Sequence, residues 1–176
     1  PLTEEKETNP INTYGKTKFL GENACRTNDL NSIVIRTSWV YSSFGANFVK
    51  TMIKLMKSKS ELSIVSDQIG SPTYAFDLAE AIIKIILNKK WIPGIYHFSN
   101  DGEISWFEFA QSIKNIYGFK TVLKSISSDF FPTLAKRPKY SLLDKSKIKN
   151  TYGIEIKNYL SSLSACINIL KFDNYE

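Results

Sequence analysis

Apolar positions change period several times along the chain, and the changes predict alternating helices and strands. Asn9-Pro10 opens a first helix, because proline is tolerated in a first turn, and the helix runs to about Thr27. Ser32 to Tyr41 is rich in β-branched residues and bounded by polar turns, which predicts one buried strand. Gly45-Ala46-Asn47 breaks the chain before Phe48, Val49, Met52, Ile53, Leu55 and Met56, the stripe of a second helix. Leu62 to Val65 is a short strand, Ser66 to Thr73 a loop by its turn chemistry, and Phe76, Ala79, Ile82, Ile83 and Ile86 the inward face of a third helix. Gly94 to Phe98 is a strand containing His97, the only histidine. Ser105-Trp106-Phe107-Glu108 is a capping box that starts a helix ended by Gly118, and Val122 to Ile126 is a fourth strand. A last helix from about Lys157 to Leu170 carries Leu160, Leu163, Ile167 and Leu170 in register.

This alternation predicts an α/β protein with parallel pairing, and 176 residues suit a single domain spanning the whole chain. A hydrophobic content of 43% with 23% charged residues is the balance of a globular protein. No apolar run approaches the roughly 20 residues that span a bilayer, and the acidic N-terminal stretch lacks the order of a signal peptide, so a cytoplasmic protein without membrane contact is expected. Cys25 and Cys166 lie far apart in helical contexts, which favours free buried thiols over a disulfide, and two cysteines with one histidine are too few for a zinc site. The net charge of +6 comes almost wholly from scattered Lys, only three of the 23 basic residues being Arg, which argues against a nucleic-acid partner. One local excess remains: Lys136, Arg137, Lys139, Lys145, Lys147 and Lys149 surround a single acid, Asp144, a pattern that suits a small phosphorylated ligand as well as it suits solvent.

The first helix carries the candidate chemistry. Residues four apart stand one turn above each other, so Tyr14 and Lys18 point the same way. An ammonium beside a phenol stabilises the phenolate and brings proton exchange with a substrate oxygen nearer to neutral pH. The spacing alone is equally that of an ordinary exposed face, since nine Tyr among so many Lys produce it by chance about once. A glycine-rich turn between a first strand and its helix, the usual pyrophosphate cradle of a doubly wound dinucleotide fold, is missing, because Gly15, Gly21, Gly45 and Gly70 are too dispersed.

Several motifs in order resemble the dTDP-4-dehydrorhamnose reductase family of extended short-chain dehydrogenase/reductases. They are Tyr14-Gly15-Lys16-Thr17-Lys18, Arg36-Thr37-Ser38-Trp39-Val40-Tyr41 with Asn47-Phe48, and Asp67-Gln68-Ile69-Gly70-Ser71-Pro72-Thr73. Asp77-Leu78-Ala79, Tyr96-His97-Phe98-Ser99-Asn100, and Arg137-Pro138 before Ser141 and Leu143-Asp144 complete the set. The resemblance covers nearly the whole chain and implies the C-terminal, substrate-side half of a Rossmann-like enzyme, the N-terminal cofactor-binding strands lying before Pro1. It implies reduction of the C4 ketone of dTDP-4-dehydro-L-rhamnose with NADPH or NADH, with Tyr14 giving the proton and Lys18 lowering its pKa and holding the nicotinamide ribose. Thr37 and Ser38 would touch the nicotinamide side, Trp39 would pack on the deoxysugar and Arg137 would bind the diphosphate. No metal is implied.

Other readings stand beside these. Trp39 at a strand end also suits plain core, the Asp67 to Thr73 loop a mere connection, and His97 a packed histidine. Phe130 and Phe131 suit a pocket wall or the core equally. A related sugar-nucleotide epimerase or dehydratase shares the Tyr and Lys, and a non-catalytic binding protein can be built on the same scaffold. Without backbone donors for a pyrophosphate, the isolated chain is expected to be inactive, and the uncovered strand and helix faces predict self-association.

Overall fold

The structure is a computed structural model that describes residues 1–131, 133 and 135–172. Helix α1 spans Thr13–Asn28, and its N-cap is Asn12, whose side chain accepts from the Gly15 N–H at 2.8 Å. The helix thus begins three residues after the expected Asn9-Pro10 start: the Asn side chain satisfies a free first-turn donor, and Pro10 packs outside the helix against Gly15. The expected strand Ser32 to Tyr41 is two strands, β1 (Ile33–Arg36) and β2 (Val40–Tyr41), separated where Trp39 takes a left-handed φ of 49°. Helix α2 (Phe48–Ser58) buries Val49, Met52, Ile53 and Met56, the stripe that its periodicity predicts.

Strand β3 (Glu61–Val65) is followed by β4 (Ile69–Gly70) and β5 (Thr73–Tyr74), so the expected loop contains two short strands. Helix α3 (Ala75–Ile86) turns a different face inward from the one expected. Asp77, Ala81 and Ile85 are buried, whereas Phe76, Ala79, Ile82, Ile83 and Ile86 are exposed among the described residues. Strands β6 (Gly94–His97) and β7 (Ile104–Ser105) precede α4 (Trp106–Tyr117), whose Ser105–Glu108 capping box and left-handed Gly118 terminus are both present. After β8 (Val122–Ile126) come α5 (Ser146–Tyr152), a helix that the basic composition of the segment conceals, and α6 (Tyr159–Phe172). In α6 Leu163, Ile167 and Leu170 are buried but Leu160 is exposed.

Strands β1 and β6 pair in parallel with Arg36 opposite His97, as do β2 with β5 and β3 with β8; β4 and β7 are antiparallel. Two apolar clusters result. One gathers Val49, Ile53, Phe109, Ile113, Leu163 and Ile167 between α2, α4 and α6, and the other packs Ala81, Ile85, Phe98, Ile148 and Ile154 with Ile33 and Ile35 of β1. Ile35 belongs to the second cluster and Trp39 packs on the first, so the residues between them cross from one core to the other. Among the described residues, no helix is long and apolar enough to cross a membrane.

Candidate active site

The crossing from Arg36 to Trp39 carries three of the six residues singled out from the sequence. Thr37 Oγ1 donates to Thr73 Oγ1 at 3.0 Å, and Ser38 Oγ donates to the Ser71 carbonyl at 2.8 Å, so both hydroxyls spend their proton on the loop before α3. Thr37 is exposed and keeps its acceptor lone pairs free of that bond. The indole of Trp39 is half-buried and lies flat on Trp106, with ring centres 3.7 Å apart and 12° between planes. Beneath it sits Gly70. A Cβ there would lie 2.9 Å from Trp39 Cε2 and 2.6 Å from Ser141 Oγ, so only glycine allows the indole to settle at this depth. The tryptophan is therefore a stacked wall over a glycine floor, not an interior core residue.

Trp106 and Phe48 extend this wall into a cleft of about 820 Å³, floored by Met52, Leu55, Leu62 and Ile64. Its other side is polar and mostly cationic: Lys59, Lys136, Arg137 and Lys139 face Glu61 and Asp129. Phe131 lines the cleft, while Phe130 is exposed. Asp67 organises the rim by accepting from the Ser128 N–H and Oγ, both at 2.8 Å; the Ser128 hydroxyl bond holds its carboxyl below the usual carboxylate range. The basic excess seen in the sequence is thus two groups. Lys136, Arg137 and Lys139 belong to the cleft, whereas Lys145 and Lys149 pair with Asp101 at 3.0 and 3.6 Å and Lys147 lies over the Tyr96 ring.

Tyr14 and Lys18 stand on α1 as the helical spacing requires. The Lys18 ammonium is 5.5 Å from the centre of the phenol ring, and Tyr14 is 71% exposed. Asn12 joins this turn to the cleft: while its oxygen caps Gly15, its Nδ2 donates to the Lys136 carbonyl at 2.8 Å. The first turn of the tyrosine helix and the segment bearing Arg137 are therefore bound through one side chain. Sequence reasoning did not single out Asn12 or Trp106; the signal for Trp106 was its place just after the capping serine.

Other motifs of the set serve the frame. Asn100 accepts from the Tyr74 N–H at 2.7 Å, receives the Ser71 hydroxyl on its carbonyl, and donates to Asp77 at 2.7 Å, while Asp77 also takes Lys157 at 2.9 Å and the Ser162 hydroxyl. This buried polar node ties the Asp67 to Thr73 loop, α3 and the end of β6 together. Cys166 is buried and its thiol is pushed up to about 12 by burial, but Cys25 is exposed, contrary to expectation, because α1 buries none of its residues.

Residues 1–172 match the family described as RmlD substrate binding domain. The chain belongs to that family. It is 45% identical to the spore coat polysaccharide biosynthesis protein SpsK of Bacillus subtilis, over 93% of this chain and 56% of that protein. A crystal structure of a dTDP-4-dehydrorhamnose reductase from Clostridium acetobutylicum superposes with a TM-score of 0.93 at 38% identity, over 97% of this chain and 60% of the other. The Bacillus anthracis dTDP-4-dehydrorhamnose reductase, solved in complex with NADP, gives 0.87 at 38% identity, over 95% and 58%. The RmlD-family chain thus spans between 56% and 60% of the length of these relatives, with a Rossmann-like α/β fold.

Proposed function

We propose that this RmlD-family chain is the substrate-side part of an NAD(P)H-dependent reductase acting on the C4 ketone of dTDP-4-dehydro-L-rhamnose to give dTDP-L-rhamnose. The observation that carries the reading is the tie between a Tyr-x-x-x-Lys turn and a cleft with an aromatic wall and a cationic rim, made by Asn12. A sugar nucleotide has matching parts: a flat base and a deoxysugar for the apolar surfaces, and a diphosphate for the cations. Arg137 binds the diphosphate through its planar fork of donors. Trp39 limits the sugar by packing its free edge beside it, held at its depth by Gly70 and Trp106.

Lys18 holds the nicotinamide ribose, and the acceptor oxygen of Thr37 and the backbone of Ser38 face the nicotinamide. This donor and acceptor set fits the cofactor because Tyr14 and Thr37 are exposed rather than closed over by the chain itself. The reduced nicotinamide, when bound, supplies the hydride. Tyr14 donates its phenolic proton to the carbonyl oxygen as C4 is reduced, so that no free alkoxide has to form. The dinucleotide itself rests mainly on a part outside these 176 residues, and the isolated chain does not turn over substrate. Replacing Arg137 by Ala in the complete protein is expected to raise KM for the dTDP-sugar about tenfold, as for loss of one charge-assisted phosphate contact. An unchanged KM, read from ketosugar-dependent NADPH oxidation, removes Arg137 from the diphosphate.

A further inference from the structure

Helix α1 carries the proposed proton donor, yet none of its residues is buried among those described. A bidentate ion pair ties it to the sheet. Arg36 Nε donates to Glu22 Oε2 and Nη2 to Glu22 Oε1, both at 2.7 Å, with side chains only 22% and 10% exposed. Two parallel bonds in one plane fix direction as well as distance, which a single contact does not.

The position of Glu22 gives this fork a further meaning. Tyr14, Lys18 and Glu22 are four and eight residues apart, and each step of four residues drifts only about 40° around a helix, so the three share one side within about 80°. Clamping Glu22 therefore sets the rotation of the very face that bears the phenol and the ammonium. Arg36 is itself well anchored. It ends β1 opposite His97, its Nη1 lies 3.5 Å from His97 Nε2, and the His97 N–H donates to Glu4 Oε1 at 3.0 Å. The next residues along the chain are Thr37 and Ser38, where the nicotinamide is placed under the proposed function. One guanidinium thus joins the cofactor end of β1 to the helix of the proton donor, two turns along from it.

We infer that Arg36 and Glu22 are positioning residues for catalysis, which lock the rotational phase of α1 and so aim Tyr14 and Lys18 at the reacting ketone. The inference rests on the proposed reductase activity and is separable from it. In the complete protein, Arg36→Lys keeps the charge but not the fork, and Glu22→Gln keeps the shape but not the ion pair. Each is expected to lower kcat about tenfold, because small misplacements of a reacting group are costly, while KM for the dTDP-sugar stays within about twofold. The double variant is expected to be no slower than the slower single one, as for two residues acting as a unit. A tie of stability alone gives a different result: melting temperature falls and kcat per folded molecule is kept, and that outcome overturns the inference. Tyr14→Phe, measured in parallel, separates the two claims. An inactive Tyr14→Phe beside fully active Arg36→Lys and Glu22→Gln defeats the positioning role alone, whereas an active Tyr14→Phe defeats the proposed reaction on which it depends.

Discussion

His97 is 1% exposed, with Nε2 turned toward the Arg36 guanidinium and Nδ1 without a hydrogen-bond partner among the described residues. Burial, reinforced by Arg36 and opposed by Glu4, holds its pKa below the ordinary 6.5, so the native ring is neutral. The unfolded chain takes up a proton near 6.5 that the native ring resists. The stabilisation is therefore complete above that pH and declines as pH falls through it toward the lower native value, with a slope of at most about 1.4 kcal/mol per unit. Urea unfolding between about pH 7.5 and 5.5 is expected to show this loss, and His97→Gln to flatten it; an equally steep loss in the variant contradicts the assignment. That a packed histidine occupies an apolar strand was legible in the sequence. The left-handed φ of Trp39 was not, since nothing in a β-branched run announces a break, and the reason for Gly70 lies in an indole and a serine distant in sequence.

Among the elements, α2, α4 and α6 follow from their apolar spacing or caps, because their partners lie within the chain. Helix α3 does not. Its apolar residues Phe76, Ile82, Ile83 and Ile86 predict one inward face, but the buried node of Asp77 with Asn100, Ser162 and Lys157 rotates the helix so that the 77, 81 and 85 side packs instead. A buried carboxylate with three partners outweighs a weakly specified apolar stripe, since losing those partners leaves several buried polar groups unpaired. The exposed flank of α3, with Leu20 on α1, remains apolar surface that water covers poorly. The purified 176-residue chain is accordingly expected to self-associate, with a light-scattering mass that rises with concentration; a monomer mass throughout the range contradicts this.

At the scale of the molecule, two cores meet where β1 gives way to Trp39, and the groups gathered around that crossing come from distant parts of the sequence. The motif order was enough to indicate the family and the α/β class. It did not show that three of the motifs meet at Asn100 to hold the frame while Phe48 and Arg137 of two others line the cleft, because that division depends on which side chains become buried together. The central claim is that the Tyr14 phenol protonates the sugar ketone. Its most direct test is turnover of dTDP-4-dehydro-L-rhamnose by the complete protein with Tyr14→Phe, a change that removes one oxygen from an exposed side chain and leaves the packing alone. The expected result is a fall in kcat of at least about a hundredfold, the usual scale for losing a general acid, with dTDP-sugar binding retained. Turnover by the variant at the wild-type rate would contradict the account.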